Sequence, residues 1–220
     1  MTHPRPDRLE ALLVGFDVAT SRPPAFPTAD VTYAVHDTSV GRMLLACNES
    51  GALVASLFVA DAAAEDAALV RLAARISPRV LRRPDVLEAA RRWLDDYLAG
   101  RTRRQAPAWE LALATPFQKL VLSALVARLG YGERATYGQL AHWSGRPGAA
   151  RAVGTALGSN PLCIVLPCHR VVGATGALTG YAGGLAAKRH LLDLEAGADR
   201  AAENGPEPDG GGDTRLSSGR

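Results

Sequence analysis

Residues 136–157 read TYGQLAHWSGRPGAARAVGTAL. Thr136 is placed to cap a short helix that runs through Trp143. Ser144, Gly145 and Arg146 then make a turn, and Pro147 suits the first position of a second helix that reaches about Leu157. Two short helices joined by a tight glycine-containing turn match a helix-turn-helix. The second helix is small-faced, with Gly148, Ala149, Ala150, Ala152, Gly154, Thr155 and Ala156. Small residues allow a helix backbone to approach another surface closely, and the pattern alone leaves open whether that surface is another helix or a DNA groove. Arg151, alone among these residues, is easier to place on an exposed face than a buried one.

Upstream, Thr115-Pro116 reads as the cap and first residue of a helix with the apolar stripe Phe117, Leu120, Val121, Ala124, Leu125 and Leu129, stopped at Gly130-Tyr131-Gly132. The first half has a different rhythm. Val31–Val35, Met43–Cys47 and Leu53–Val59 are short apolar or alternating runs with turn residues between them, which predicts a small antiparallel meander. Ala62–Ile76 and a segment opened by Pro84 and ended by Gly100 predict two helices, the second with Val86, Leu87, Ala90, Trp93, Leu94 and Tyr97 on one side. Arg101–Pro107 reads as a linker. The fold class expected is α+β: a small N-terminal sheet-and-helix unit followed by a mostly helical, winged-helix-like unit. Pro-rich residues 1–30 read as a loosely ordered lead-in, and the Gly-, Pro- and acid-rich end as a disordered tail.

Charge is regional. The chain carries +3 in total, but residues 101–195 alone carry +7, and the flanks −2 each. A basic block points to a polyanion, most commonly nucleic acid, although a chain rich in Ala and Arg with only two Lys (Lys119 and Lys188) also fits plain compositional bias. No apolar run reaches the roughly 20 residues needed to span a bilayer. Arg5, Asp7, Arg8 and Glu10 do not read as a signal peptide. Three cysteines without regular spacing, Cys47, Cys163 and Cys168, make no disulfide framework, so a reducing cytoplasm is the expectation. Cys47 and His36 do not make a four-ligand zinc site, and neither metal nor cofactor is expected.

The chemistry concentrates in Ile164-Val165-Leu166-Pro167-Cys168-His169-Arg170-Val171-Val172. Apolar flanks, read as strand-like, put Cys168 and His169 at the edge of a core. A thiol is a nucleophile only as thiolate, and a base or cation nearby lowers its pKa. Chain neighbours need not face each other, so an inert buried thiol beside a surface imidazole remains open on this stretch alone. A histidine base needs an orienting carboxylate, and Glu195, near the end of an apolar helix at about Leu185–Ala196, can be carried back to the core. Asn160-Pro161 forms a turn whose side-chain amide can hold a tight loop. Gly173–Gly184 is a glycine-rich loop suited to wrap a flat ligand, with Tyr181 as a contact.

Asn160-Pro161, Pro167-Cys168-His169-Arg170-Val171-Val172, Gly180-Tyr181-Ala182-Gly183-Gly184 and Leu191-Leu192-Asp193-Leu194-Glu195 resemble the O6-alkylguanine-DNA alkyltransferases (methylated-DNA–protein-cysteine methyltransferases). Thr115-Pro116-Phe117-Gln118, Thr136–Ala141 and Ala149–Gly154 match the same family in order, and the likeness covers about residues 112–197. The resemblance implies a ribonuclease H-like α/β domain over 31–106 and a DNA-binding alkyltransferase domain over 107–197, with the tail at 198–220. It implies irreversible, single-turnover transfer of the alkyl group from guanine O6 to Cys168 after base flipping. His169 would act as base through a water, Glu195 would orient it, Asn160 would support the turn, and Tyr137 would donate to the guanine. Arg151 would fill the stack where the base has left, with Thr136, Ala150 and Gly154 also on the DNA side. Tyr181, Ala182, Val171 and Cys163 would line the guanine pocket. The implied partner of this monomer is double-stranded DNA containing O6-alkylguanine. Cys163 stands where many relatives carry proline or another small residue, and Leu122 where many bacterial relatives carry tryptophan. Two rivals share these features: a non-catalytic lesion-binding protein on the same scaffold, which has Trp at the cysteine position, and a helix-turn-helix regulator.

Overall fold

The computed structural model describes residues 29–203, with side chains through Gly197. The expected lead-in up to residue 28 and the tail from 204 onward lie outside the described residues. Three strands form as read: β1 (Val31–Thr38), β2 (Gly41–Asn48) and β3 (Leu53–Phe58) make an antiparallel meander. Gly41 adopts φ +129°, a conformation that favours glycine, at the end of the tight β1–β2 turn. The sequence did not reveal β4 (Val80–Arg82), which pairs parallel to β1 and gives the order β3-β2-β1-β4. Three residues flanked by prolines carry too little periodicity to register as a strand.

β2 is buried on both faces, and its alternation divides the interior. Leu44 and Ala46 pack with Val54, Val59, Ala68 and Leu72 under α1 (Ala62–Arg75). Met43, Leu45 and Cys47 point the other way, into a cluster that includes α2 (Glu88–Leu98) and much of the second half of the chain. The two halves therefore share one core. α2 begins at Glu88, not at Pro84: residues 84–87 are a turn, closed by Val86 N–H to Arg83 O at 3.2 Å and by an Arg83–Asp85 ion pair. Val86 is accordingly exposed, and the buried side is Leu87, Ala90, Leu94, Tyr97 and Leu98. Gly100, at φ +70°, ends the helix.

In the second half, α3 (Pro116–Arg128) and α4 (Tyr137–Trp143) each start with a capping box, Thr115/Gln118 and Thr136/Gln139. The buried side of α3 is Gln118, Val121, Leu122 and Leu125, while Leu120 faces solvent: Val121 and Leu125 of the expected stripe stay buried, and the stripe is turned towards Gln118 and Leu122 by about a sixth of a turn. The second helix of the helix-turn-helix, α5 (Ala150–Gly158), begins after Pro147, because Gly148 sits at φ +87° and breaks the helical path. β5 (Ala135–Thr136) pairs parallel with β6 (Val171–Val172). The last helix, α6, runs Gly184–Glu203, past the stop expected near Ala196; Ala198, Ala201, Ala202 and Glu203 are strong helix formers that carry it beyond Gly197. Among the described residues no helix is long and apolar enough to cross a membrane.

Candidate active site

The segment read as a strand before Cys168 is a turn. Ile164 takes φ +70°, a left-handed conformation unusual for a β-branched residue, and Leu166 N–H bonds Leu162 O at 2.7 Å. Such a conformation costs of order 1–3 kcal/mol and persists only where the surroundings dictate it. β3 supplies those surroundings. Ser56 N–H donates to Pro161 O (2.8 Å), Ser56 O accepts from Cys163 N–H (2.8 Å), and Ser56 Oγ donates to Cys163 O (2.9 Å). The outer edge of the N-terminal sheet thus clamps the loop of the second half. The chain then enters a short 3-10 turn, Cys168–Arg170, that places all three side chains in the interior.

Asn160 holds this turn from within. Its Oδ1 accepts from Leu162 N–H (3.0 Å), and its Nδ2 donates to Leu166 O (3.1 Å) and faces Cys168 Sγ at 3.2 Å. The Cys168 thiol is pulled below its ordinary value by a hydrogen bond from Cys163, against burial, with help from Asn160 and the Lys188 charge. Cys163 moves the opposite way, pushed up by the same contact with Cys168 and by burial. Of the two thiols, Cys168 is the one poised to ionise.

His169 is fully buried, which removes the reading of a surface imidazole. Its Nε2 lies 2.9 Å from Glu195 Oε1. Glu195, 1% exposed, is carried inward by α6 and saturated with donors. Arg170 Nε and Nη2 reach Oε1 at 3.1 and 2.9 Å, Arg170 Nε reaches Oε2 at 2.9 Å, and Gly132 N–H reaches Oε2 at 3.2 Å. The Tyr97 hydroxyl also donates to Oε1. Burial would raise the Glu195 pKa, but His169 and Arg170 outweigh it and hold the group at about 2. An ionised carboxylate only accepts, so His169 carries its proton on Nε2. Nδ1 is left buried and without a hydrogen-bond partner among the described residues. Burial lowers the His169 pKa, and Glu195 only partly offsets it, so the imidazole is a neutral base at ordinary pH.

Beside this interior lies an open cleft of about 720 Å³. Its walls include Thr136 and Tyr137 of α4, Ala150, Arg151 and Gly154 of α5, and Tyr181 and Ala182 of the glycine-rich loop. Seven residues assigned to DNA or base contact thus share one cavity. Val171 and Cys163 do not line it; both are buried beside Cys168. Two residues join cleft and interior. Tyr181 lines the cleft and meets the His169 ring edge-on, with centroids 6.3 Å apart. Lys188, fully buried, donates to Val171 O (2.6 Å) and Thr179 O (3.0 Å), and Thr179 in turn donates to the Tyr137 hydroxyl (2.9 Å). Gly183 is fixed by contact: a Cβ there would lie 2.6–2.8 Å from the Phe58 ring of β3.

Sequence reasoning missed three members of this network. Arg170 stood within the quoted motif but received no role. Lys188, one of only two lysines, follows an apolar stretch of α6 and was the available signal. Tyr97 was read only as part of an apolar helix face. Among the described residues no group of three or more His, Cys, Asp or Glu is arranged to hold a metal ion.

Two family models match: the ribonuclease-like domain of 6-O-methylguanine DNA methyltransferase over residues 31–106, and its DNA binding domain over 116–197. The chain belongs to the 6-O-methylguanine DNA methyltransferase family. Among its relatives, the methylated-DNA–protein-cysteine methyltransferase of Methanosarcina acetivorans is 37% identical over 166 residues, 74% of this chain and 97% of the relative. The enzyme of the same name from Mycobacterium tuberculosis is 47% identical over 112 residues, 51% of this chain and 67% of the relative. The crystal structure of the M. tuberculosis O6-methylguanine methyltransferase superposes with a TM-score of 0.64 at 35% identity, covering 76% of this chain and 94% of that one. A structure of the M. tuberculosis protein in complex with DNA matches equally well, with TM-score 0.64 and 35% identity over the same shares of both chains. The ribonuclease-like and DNA binding domains matched by these models correspond to the two halves described above.

Proposed function

We propose that this chain repairs DNA by taking the alkyl group of O6-alkylguanine onto Cys168, once per molecule. The observation that carries the reading is the run of contacts from the cleft through Tyr181 to the His169 ring and on to Glu195, with Cys168 beside His169 in the same buried turn. Residues 31–106 act as the ribonuclease-like support and 107–197 as the DNA-binding alkyltransferase domain. The protein works as a monomer on duplex DNA.

The lesion's alkyl carbon lies inside the duplex, so the base must leave the stack, at a cost of a few kcal/mol that is smaller for a base that already pairs badly. Arg151, exposed on α5, fills the gap, and the small face at Ala150 and Gly154 admits the backbone of a groove. The extruded guanine enters between Tyr137 and Tyr181, with Ala182 at its edge. The Cys168 proton passes to His169 Nδ1 through a bridging water. Cys168 Sγ then attacks the alkyl carbon; the C–S bond forms as the C–O bond breaks, and the electron pair stays on the guanine. Tyr137 donates a proton to that leaving group. Its hydroxyl already accepts from Thr179, which leaves its own proton free to give. The imidazolium is held by Glu195, and no step restores the thiol from its thioether, so turnover ends there.

The test is intact-protein mass after mixing with excess duplex that contains O6-methylguanine, followed by peptide mapping. A gain of one methylene on the peptide bearing Cys168 is the expected result. DNA binding without any gain would overturn the reading in favour of a lesion-binding protein.

A further inference from the structure

Tyr97 belongs to α2, in the ribonuclease-like half, yet its hydroxyl ends inside the machinery of the other half. It donates to Glu195 Oε1 and lies 3.4 Å from His169 Nε2. The ring cannot drift: it stacks on Trp93 with centroids 5.4 Å apart at 25° and meets Tyr131 edge-on at 6.1 Å and 80°. Tyr97 is 3% exposed. Oε1 therefore serves two neighbours at once, the imidazole and the phenol. A carboxylate oxygen shared with a second donor has less charge to offer the first.

We propose that Tyr97 is a positioning residue that sets the base strength of His169 by sharing the Glu195 carboxylate oxygen. The inference rests on the alkyl-transfer reading given above. Burial beside the Glu195 charge keeps the phenol protonated, so Tyr97 acts toward the carboxylate only as a donor. It thereby limits how strongly Glu195 stabilises the imidazolium. The other groups that face His169 work in the same direction or are fixed. Arg170 and Lys188 oppose a positive charge on the ring, Cys168 adjoins it in the chain, and Tyr181 presents an edge. Tyr97 alone among them comes from the N-terminal half, which gives that half a chemical part in the site as well as a supporting one.

The direction of the effect follows. His169 serves as a base only when neutral. Tyr97→Phe keeps the ring packing and removes one donor from Oε1, so Glu195 holds the imidazolium more tightly and the His169 pKa rises. In single-turnover methyl transfer followed against pH, the acidic limb of the profile for Tyr97→Phe moves up by roughly half a unit to one unit. The rate on the plateau changes by less than about threefold. A purely structural role would lower the rate equally at every pH and leave the limb in place. Profiles that superimpose after scaling would overturn the proposal. A nitrogen-15 titration of the His169 ring in both proteins gives the second readout: an upward shift in Tyr97→Phe supports the proposal and identical midpoints overturn it. That measurement needs no alkyl transfer, so failure of the parent protein to accept a methyl group would sink the functional reading without deciding this one.

Discussion

The interior around Glu195 and the cleft beside α5 lie a few residues apart and are built on opposite terms. The interior is closed, and a single carboxylate satisfies donors from His169, Arg170, Tyr97 and the backbone of Gly132. The cleft is open and walled by glycine, alanine and threonine, with Arg151 exposed at its wall. The first arrangement fixes protonation states in a medium where charge interactions are strong. The second avoids commitment, which suits the proposed contact with a DNA groove. Reactivity is assigned to one region and access to the other, and Tyr181 and Lys188 link them, Lys188 through the Thr179 carbonyl.

Substitutions can separate the two. Cys168→Ser should abolish retention of a labelled methyl group while leaving DNA binding intact; label retained by the variant would move the chemistry elsewhere. Glu195→Gln should remove the countercharge of the buried Arg170 guanidinium, at a cost of about 3–5 kcal/mol, read as a Tm lower by roughly 10 °C. The same group gives a pH signature. Its pKa is held at about 2 against an ordinary 4.5, so its contribution to stability is complete above 4.5 and is lost as pH falls through about 2. Urea unfolding between those values should steepen with acid in the parent and flatten in Glu195→Gln. Gly183→Ala would press a methyl group on the Phe58 ring and displace the loop that carries Tyr181, with an expected loss of about 1–3 kcal/mol and slower transfer. Arg151→Ala acts on the cleft alone: reaction with duplex should slow by roughly tenfold, because a few kcal/mol of unstacking must be met without it, while reaction with the free alkylated base is unchanged. Equal slowing on both would remove Arg151 from the flipping role. The smallest effect is expected at Cys163→Ala, which deletes a hydrogen bond to Cys168 and should raise the pH midpoint of Cys168 alkylation by iodoacetamide.

Much of this was legible in the chain. The capping boxes at Thr115 and Thr136, the meander and the Cys-His pair are local signals, written in residues that are close in sequence. What escaped depends on distant contacts. The turn at Ile164 looks like a strand because its apolar run is continuous, and part of what bends it is distant: the clamp from Ser56 lies 107 residues from Cys163 and joins the local bonds of Asn160. Tyr97 meets Glu195 across 98 positions, and no periodicity along α2 distinguishes a tyrosine that fills space from one that also holds a carboxylate. The start of α5 was displaced for a simpler reason: Pro147 is a good first residue, but Gly148 after it takes a left-handed turn. Lys188 carried a signal in its rarity and its apolar neighbours, but nothing along α6 names the two carbonyl groups it serves.

The shared core has a consequence for the alkyl transfer proposed above. Cys168 is 5% exposed and belongs to the same packed cluster as Met43 and Leu45 of the N-terminal sheet. A methyl group added there occupies space in an interior that both halves hold in common. Overfilling a close-packed core costs about 1–3 kcal/mol, and in a cooperative fold that cost is borne by the whole molecule. The melting curve of a population should then record how many of its members have been used, with the fold serving as a tally of lesions met.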